Sequence, residues 1–95
     1  ARRVALLAQA DRDRLAGLGR GMPKALAVFE RFRVRLVRTI AQLSGETGLA
    51  PNTVAKALAD LEGLGIVREL TGKKRDRVYA YARLLEVMSE GTEPL

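Results

Sequence analysis

The most constraining feature of the chain is a three-residue connection, 48–50, between two amphipathic segments. Gly48 stands where the first segment loses its helical pattern, and Pro51 suits the first turn of the helix that follows. Two short alternating segments, 66–70 and 77–82, come next, with a polar turn between them. The chain therefore predicts helix, tight turn, helix and two paired strands, in that order.

The two predicted helices flank this connection closely. Thr39 is a good N-cap for a helix over 40–47, and the apolar residues of 51–63 recur with helical spacing. Because the connection is short, the helices must cross steeply, which turns one side of the second helix outward. The residues expected on that outward side are Asn52, Thr53, Lys56, Asp60 and Glu62.

Two more helices are predicted before this unit, over 2–18 and 23–38. In the first, the charged residues 11–14 are expected mostly on the surface. In the second, a wide apolar side suggests pairing with a second copy, so we expect a homodimer through the N-terminal helices. The residues that form this apolar side are Leu26, Phe29, Phe32 and Leu36.

A basic stripe is predicted on the opposite side of the second helix. Arg31, Arg35 and Arg38 recur at i, i+4 and i+7, which places them together if the helix reaches residue 38. A solvated face is one interpretation of this stripe. Contact with phosphate or with a neighbouring domain is the other.

The order of elements is typical of a winged helix-turn-helix. We therefore expect a mainly α fold with a small β-hairpin, in which two helices precede the winged helix-turn-helix and a short helix over 82–89 follows it. The expected parts are a linker or dimerisation region over 1–38, the winged helix-turn-helix with its C-terminal helix over 39–90, and a tail over 91–95.

Composition excludes most chemistry. Ninety-five residues, 47% hydrophobic and 29% charged, make one ordinary globular domain. The chain has no cysteine and no histidine, which removes disulfides, thiolate metal sites and the commonest general base. No carboxylate pair or activated serine stands out, so we expect no enzyme activity, no catalytic residue, no cofactor and no metal in this chain.

The apolar runs are short. The longest, 25–29, cannot span a bilayer, and no signal-peptide pattern is visible, so we expect a cytoplasmic protein without a membrane partner. The chain begins at Ala1 instead of Met, which indicates a piece of a longer protein.

Positive charge is unevenly distributed within the net +6. Residues 1–38 carry ten bases and three acids, a net +7. Residues 39–64 carry −2, residues 65–83 carry +4 and residues 84–95 carry −3. Bases therefore lie in the first two helices and in the hairpin, and few lie on the outward helix.

The outward helix predicts contact with double-stranded DNA. A helix fits the major groove, where residues near its N-terminus reach base edges. Asn52 can pair with adenine, Thr53 with a phosphate or a thymine methyl group, and Lys56 with a phosphate or guanine. For Asn52, capping of the helix start is the alternative role.

The hairpin turn supplies the second set of predicted contacts. Lys73, Lys74 and Arg75, with Arg77 behind them, can neutralise backbone phosphates, although an ordinary solvated turn is the alternative. Exposed acids oppose DNA binding, because they repel phosphates over about 10 Å. These acids are Glu46, Asp60, Glu62 and Asp76. We therefore expect contact through the N-terminal end of the helix together with the hairpin.

Two tracts also carry a family resemblance. LAPNTVAKALADLEGLGIV (49–67) and ELTGKKRDRVYAYARLLEVMSEGTEPL (69–95) resemble the C-terminal winged-helix domain of bacterial Fic (filamentation-induced-by-cAMP) proteins. Residues 1–38 resemble the helices that lead into that domain. Members of the family transfer AMP or a related nucleotide moiety to a hydroxyl group of a target protein. Their catalytic pattern HPFxxGNGRxxR has no counterpart in a chain without histidine.

The resemblance implies an accessory domain of an AMP-transferring protein whose catalytic domain lies outside this chain. It implies DNA binding and transcription regulation by that accessory domain. The alternative is a protein-interaction or dimerisation module that regulates the catalytic domain without binding DNA.

Overall fold

The computed structural model describes residues 2–71 and 77–86, with side chains from residue 6 onward. The chain is mainly helical and carries one small sheet. Among the described residues, no helix combines the length and the apolar character that crossing a bilayer requires. The elements are α1 (Arg2–Arg14), a 3₁₀ segment (Leu15–Gly21), α2 (Met22–Val34), β1 (Val37–Thr39), α3 (Ile40–Thr47), α4 (Pro51–Gly63), β2 (Arg68–Glu69) and β3 (Val78–Ala80), followed by helix over 82–86.

The sheet has three antiparallel strands in the order β1-β3-β2. Ala80 of β3 lies opposite both Val37 of β1 and Arg68 of β2. The sequence α2-β1-α3-α4-β2-β3 is a winged helix-turn-helix, and the predicted fold class is confirmed. The predicted hairpin is β2 with β3, in strands shorter than expected, whereas β1 was not predicted.

The second helix ends earlier than predicted. α2 stops at Val34, and Arg35 is already extended, with φ −139° and ψ 133°. The cause lies in the residues that follow, because Val37 pairs with β3 and Thr39 must be extended to cap α3. Arg35 and Arg38 therefore lie beyond the helix, and the predicted stripe with Arg31 does not exist.

Both ends of α3 form at the residues that the sequence indicated. The Gln42 N–H donates to Thr39 Oγ1 over 3.1 Å, and the Thr39 N–H donates to Gln42 Oε1 over 3.0 Å, which is a complete capping box. Gly48 has φ +77°, in the left-handed region that a helix end requires here, and its N–H donates to the Ser44 carbonyl over 2.9 Å.

One core joins all the helices. Val54, Leu58 and Leu61 of α4 are fully buried with residues of α2, and burying each such side chain stabilises the fold by about 1.5–3 kcal/mol. Phe29 meets the Tyr81 ring edge-to-face, with ring centroids 5.4 Å apart. Leu15 of the 3₁₀ segment and Phe29 of α2 belong to this same core.

The apolar side of α2 lies inside the chain. Phe29 and Phe32 are both fully buried, and Leu26 and Leu36 are partly buried against the core. This side was the reason to expect a homodimer through the N-terminal helices. Since the chain covers it by itself, a dimer would need another surface.

Asp11 of α1 is buried, although residues 11–14 were predicted mostly on the surface. The Tyr81 hydroxyl donates to Asp11 Oδ2 over 2.6 Å. Arg83 Nε and Arg14 Nη1 lie 2.7 Å and 3.8 Å from Asp11 Oδ1, as ion pairs outside hydrogen-bond geometry. We call these four residues the Asp11 cluster. The prediction was wrong because α1 packs against the C-terminal segment, which supplies the hydroxyl and a guanidinium.

Candidate nucleic-acid interface

One side of α4 faces solvent, opposite the side that packs on α2 and α3. Asn52 and Lys56 are exposed, and Thr53 and Asp60 are half-buried. The Lys56 side chain is 79% exposed. The helix therefore presents its N-terminal half outward, as the short connection at Gly48 requires.

The start of α4 is not capped by its own polar side chains. The N-cap residue is Ala50, which has no side chain able to accept a hydrogen bond. Within the described part of the chain, the side chains of Asn52 and Thr53 make no hydrogen bond. The capping role considered for Asn52 is therefore absent there, and its amide group is available to a partner.

A groove of about 350 Å³ runs beside this exposed side of α4. Its other wall comes from the end of the 3₁₀ segment and the start of α2. We call it the α4 groove. The residues that line it are Arg20, Gly21, Lys24, Asn52, Thr53, Lys56, Ala57 and Asp60. Three of the predicted contact residues, Asn52, Thr53 and Lys56, are thus brought together.

Arg20 and Lys24 are groove residues that the sequence did not indicate. Both are exposed, and neither has an ionic partner among the described residues. They lie about thirty residues before α4, so no local spacing connects them with it. The +7 net charge of residues 1–38 was the available signal, but net charge does not show which of its bases lie beside α4.

Asp60 lies against the second wall of the groove. A Cβ placed on Gly21 would lie 3.1 Å from Asp60 Oδ2, so glycine permits this close approach. Asp60 Oδ1 is 3.8 Å from Lys56 Nζ, and Asp60 is 25% exposed in its side chain. The groove therefore carries three cations and one carboxylate, a net +2.

The predicted hairpin contacts are described only at Arg77. Lys73, Lys74 and Arg75 lie at 72–76, outside the described residues, as does Asp76. A hydrogen bond to the Tyr79 side chain, followed by electrostatic attraction, raises the pKa of Arg77. Arg77 is therefore a cation held at the base of the hairpin.

Glu46 is compensated within the chain, although it was expected to repel phosphate. Its Oε1 lies 3.5 Å from Arg31 Nε, and its Oε2 accepts a hydrogen bond from Arg38. Arg38 is buried and also donates to the Arg31 carbonyl over 3.3 Å. Burial, then the positive charges of Arg35 and Arg31, lowers the pKa of Arg38. We call Arg31, Arg38 and Glu46 the Glu46 cluster.

Within the described ranges, no three Asp, Glu, His or Cys side chains come together to hold a metal ion.

Comparison of the chain with protein families, with curated proteins and with solved structures finds no match in any of the three. The resemblance to the Fic family therefore stays a prediction from the sequence.

Proposed function

We propose that this domain binds double-stranded DNA with the N-terminal half of α4 in the major groove. The observation that carries the proposal is the exposed start of α4, where the side chains of Asn52 and Thr53 have no hydrogen-bond partner among the described residues and border a groove of net positive charge. A winged helix-turn-helix presents its second helix to DNA in this way.

The exposed side chains of α4 suit base edges and phosphates. Asn52 and Lys56 stand one helical turn apart on the same side, and Thr53 lies beside Asn52. An asparagine amide can pair with both N6 and N7 of adenine, and a lysine can donate to guanine O6 and N7. A threonine can contact a thymine methyl group or a phosphate.

The distribution of acids favours the N-terminal half of α4. Glu46 is neutralised by Arg31 and Arg38, so its repulsion of phosphate is reduced. Asp60 and Glu62 lie in the C-terminal half of α4, where they repel a phosphate backbone within a Debye length of about 10 Å. Docking that inclines the start of α4 toward DNA keeps these two acids further away.

We further propose that the domain is an accessory and regulatory part of a cytoplasmic AMP-transferring protein. The support for this is the resemblance of residues 39–95 to the C-terminal domain of Fic-family proteins. The domain itself would bind DNA, and the transfer chemistry would belong to a catalytic domain outside this chain.

Docking of a protein is a second candidate function. Val34 and Val37, at the end of α2 and the start of β1, are 63% and 48% exposed. Two exposed apolar side chains three positions apart in the sequence favour a protein partner over a phosphate backbone. The predicted Arg31/Arg35/Arg38 stripe no longer supports this function, because Arg31 and Arg38 are engaged by Glu46.

Titration of a fluorescently labelled random duplex at two salt concentrations tests the proposed function. We expect affinity that falls steeply with salt, because counterions are released from phosphates. Lys56→Ala should lower the salt slope by about one unit. Asn52→Ala should instead weaken sequence-specific binding, once a preferred site has been selected, by about 1–3 kcal/mol.

Arg35→Ala is the matched control for these variants. Arg35 is exposed, carries the same charge as Lys56 and does not line the α4 groove. Its removal should change the slope less than Lys56→Ala does. Absence of duplex binding even at low salt would overturn the proposal and favour protein docking.

A further inference from the structure

Resting on the proposed function, we propose that Arg20, Lys24 and Lys56 form a clamp for a backbone phosphate of the bound DNA, and that Asp60 weakens this clamp. The clamp occupies the α4 groove. It would make the 3₁₀ segment and the start of α2 part of the interface, in addition to α4 and the hairpin.

The three cations come from three different elements. Arg20 belongs to the 3₁₀ segment, Lys24 to α2 and Lys56 to α4, and all three line the same groove. The guanidinium of Arg20 can bind two phosphate oxygens at once, and the two lysines act as point charges. The groove thus offers charge from both of its walls to one phosphate.

The position of the groove matches the path of a DNA backbone. A helix in the major groove, which is about 12 Å wide, has a phosphate backbone along each flank. The wall formed by Arg20 and Lys24 stands beside α4, along the same side chains that face outward. A backbone strand that borders the major groove would therefore pass between this wall and Lys56.

The unpaired state of Arg20 and Lys24 is a further reason to assign them to a partner. Bases on the neighbouring α1 and on α2 already have acids, since Arg12 and Arg33 lie 2.9 Å and 3.3 Å from Glu30. Among the described residues, Arg20 and Lys24 have none. Their charges therefore remain free for a phosphate.

Asp60 opposes the phosphate for two reasons. Its Oδ1 lies 3.8 Å from Lys56 Nζ, so it competes for this cation. Its Oδ2 lies next to Gly21, at the wall that carries Arg20 and Lys24, so its charge repels an anion in the groove. Replacing Asp60 by asparagine keeps the shape and removes both effects.

Two variants and their charge-matched controls test the clamp. The first pair is the double variant Arg20→Ala/Lys24→Ala against Arg33→Ala/Arg35→Ala, which removes two exposed bases outside the groove. The second pair is Asp60→Asn against Asp13→Asn, an exposed acid outside the groove. Each variant is titrated with labelled duplex over a salt series, and thermal unfolding verifies that it is folded.

We expect opposite effects from the two groove variants. Arg20→Ala/Lys24→Ala should lower the salt slope by about 0.9 for each lost phosphate contact, beyond any change in its control. Asp60→Asn should bind duplex about threefold to tenfold more tightly at low salt, because one repelling charge has been removed. If Asp60 has only a structural role, Asp60→Asn should bind duplex no more tightly than the wild type.

The outcomes separate this inference from the proposed function. If the wild-type protein binds duplex but each groove variant behaves like its control, the clamp is refuted and the proposed function stands. If the wild-type protein binds no duplex at any salt, both are refuted. If inorganic phosphate at constant ionic strength displaces duplex from the wild type but not from the double variant, duplex and phosphate compete for the groove, which supports the clamp.

Discussion

Asp11 and Asp60 are two carboxylates among cations, and their surroundings lead to opposite consequences. Asp11 is fully buried and is held by the Tyr81 hydroxyl and two arginines. Asp60 is partly exposed and contacts Lys56 at 3.8 Å. The Asp11 cluster is closed by the chain itself, so its charges stabilise the fold. The α4 groove leaves an excess of positive charge in solvent, where a partner can use it.

Replacing Asp11 should lower the free energy of unfolding more than the other substitutions do. It is therefore the most direct test of the contrast between the Asp11 cluster and the α4 groove. Asp11→Ala leaves Arg83 without its ionic partner and the Tyr81 hydroxyl buried without an acceptor. We expect a loss of about 2–4 kcal/mol in the free energy of unfolding, less than for a fully buried ion pair because the Arg83 side chain is 39% exposed. Urea denaturation measures it.

Asp13→Ala is the control for Asp11→Ala. Asp13 is exposed, and its recorded contact is a 3.0 Å hydrogen bond from Gln9. Its removal should cost less than about 0.5 kcal/mol. Equal effects of the two substitutions would contradict the structural role of the Asp11 cluster.

In burial, the Glu46 cluster is intermediate between the Asp11 cluster and the α4 groove, because Arg38 is buried and Glu46 is exposed. Glu46→Ala leaves the buried Arg38 without its carboxylate, so we expect destabilisation of about 2 kcal/mol, reduced from a fully buried pair because Glu46 is 40% exposed. Glu30→Ala breaks the exposed pairs with Arg12 and Arg33 and should cost about 0–1 kcal/mol. Chemical denaturation of both variants compares them. A larger loss of stability for Glu30→Ala than for Glu46→Ala would contradict the structural role of the Glu46 cluster.

Tyr81→Phe should cost less stability at neutral pH than Asp11→Ala and Glu46→Ala, about 1 kcal/mol for one hydrogen bond. Its effect on pH dependence is more specific. Burial first, then the hydrogen bond to Asp11 and the charge of Asp11, raises the pKa of Tyr81 above its usual range. The folded state therefore holds this proton more tightly than the unfolded state, in which tyrosine ionises near pH 10.

The stability contributed by the protonated Tyr81 is complete below about pH 10 and is lost as the pH rises further. The wild type should therefore lose stability more steeply than Tyr81→Phe between about pH 9 and pH 11. Urea denaturation across this range measures the difference. Parallel curves would show that the buried hydroxyl contributes nothing to the alkaline loss.

Local signals made much of the fold predictable. The N-cap Thr39, the helix-ending Gly48 and the proline at the start of α4 act within one turn of chain, and the structure contains all three. The alternating segments predicted the β2–β3 hairpin for the same reason. β1 was not predicted, because Val37–Thr39 continues a helical apolar pattern and becomes a strand only by pairing with β3.

Only the part of the site that lies on α4 was predictable from the sequence. The spacing of Asn52, Thr53 and Lys56 on α4 placed them together on the outward side. Arg20 and Lys24 could not be assigned to this site, because a side chain's neighbours across the fold are set by packing and leave no trace in local spacing. The same reason explains the wrong expectations for Asp11 and for the arginine stripe.

The sequence by itself determined the position of each helix, the caps of α3, the tight connection and the hairpin, because these depend on residues within a few positions of one another. Tertiary structure alone decided which charges are satisfied. It joined Asp11 to Tyr81 across 70 residues and turned Arg38 inward to Glu46. In the part of the chain that the structure describes, it left Arg20 and Lys24 beside α4 without an ion-pair partner. The physical reason is that a charge is neutralised by whatever group lies within a few ångströms, and only the folded chain sets that distance.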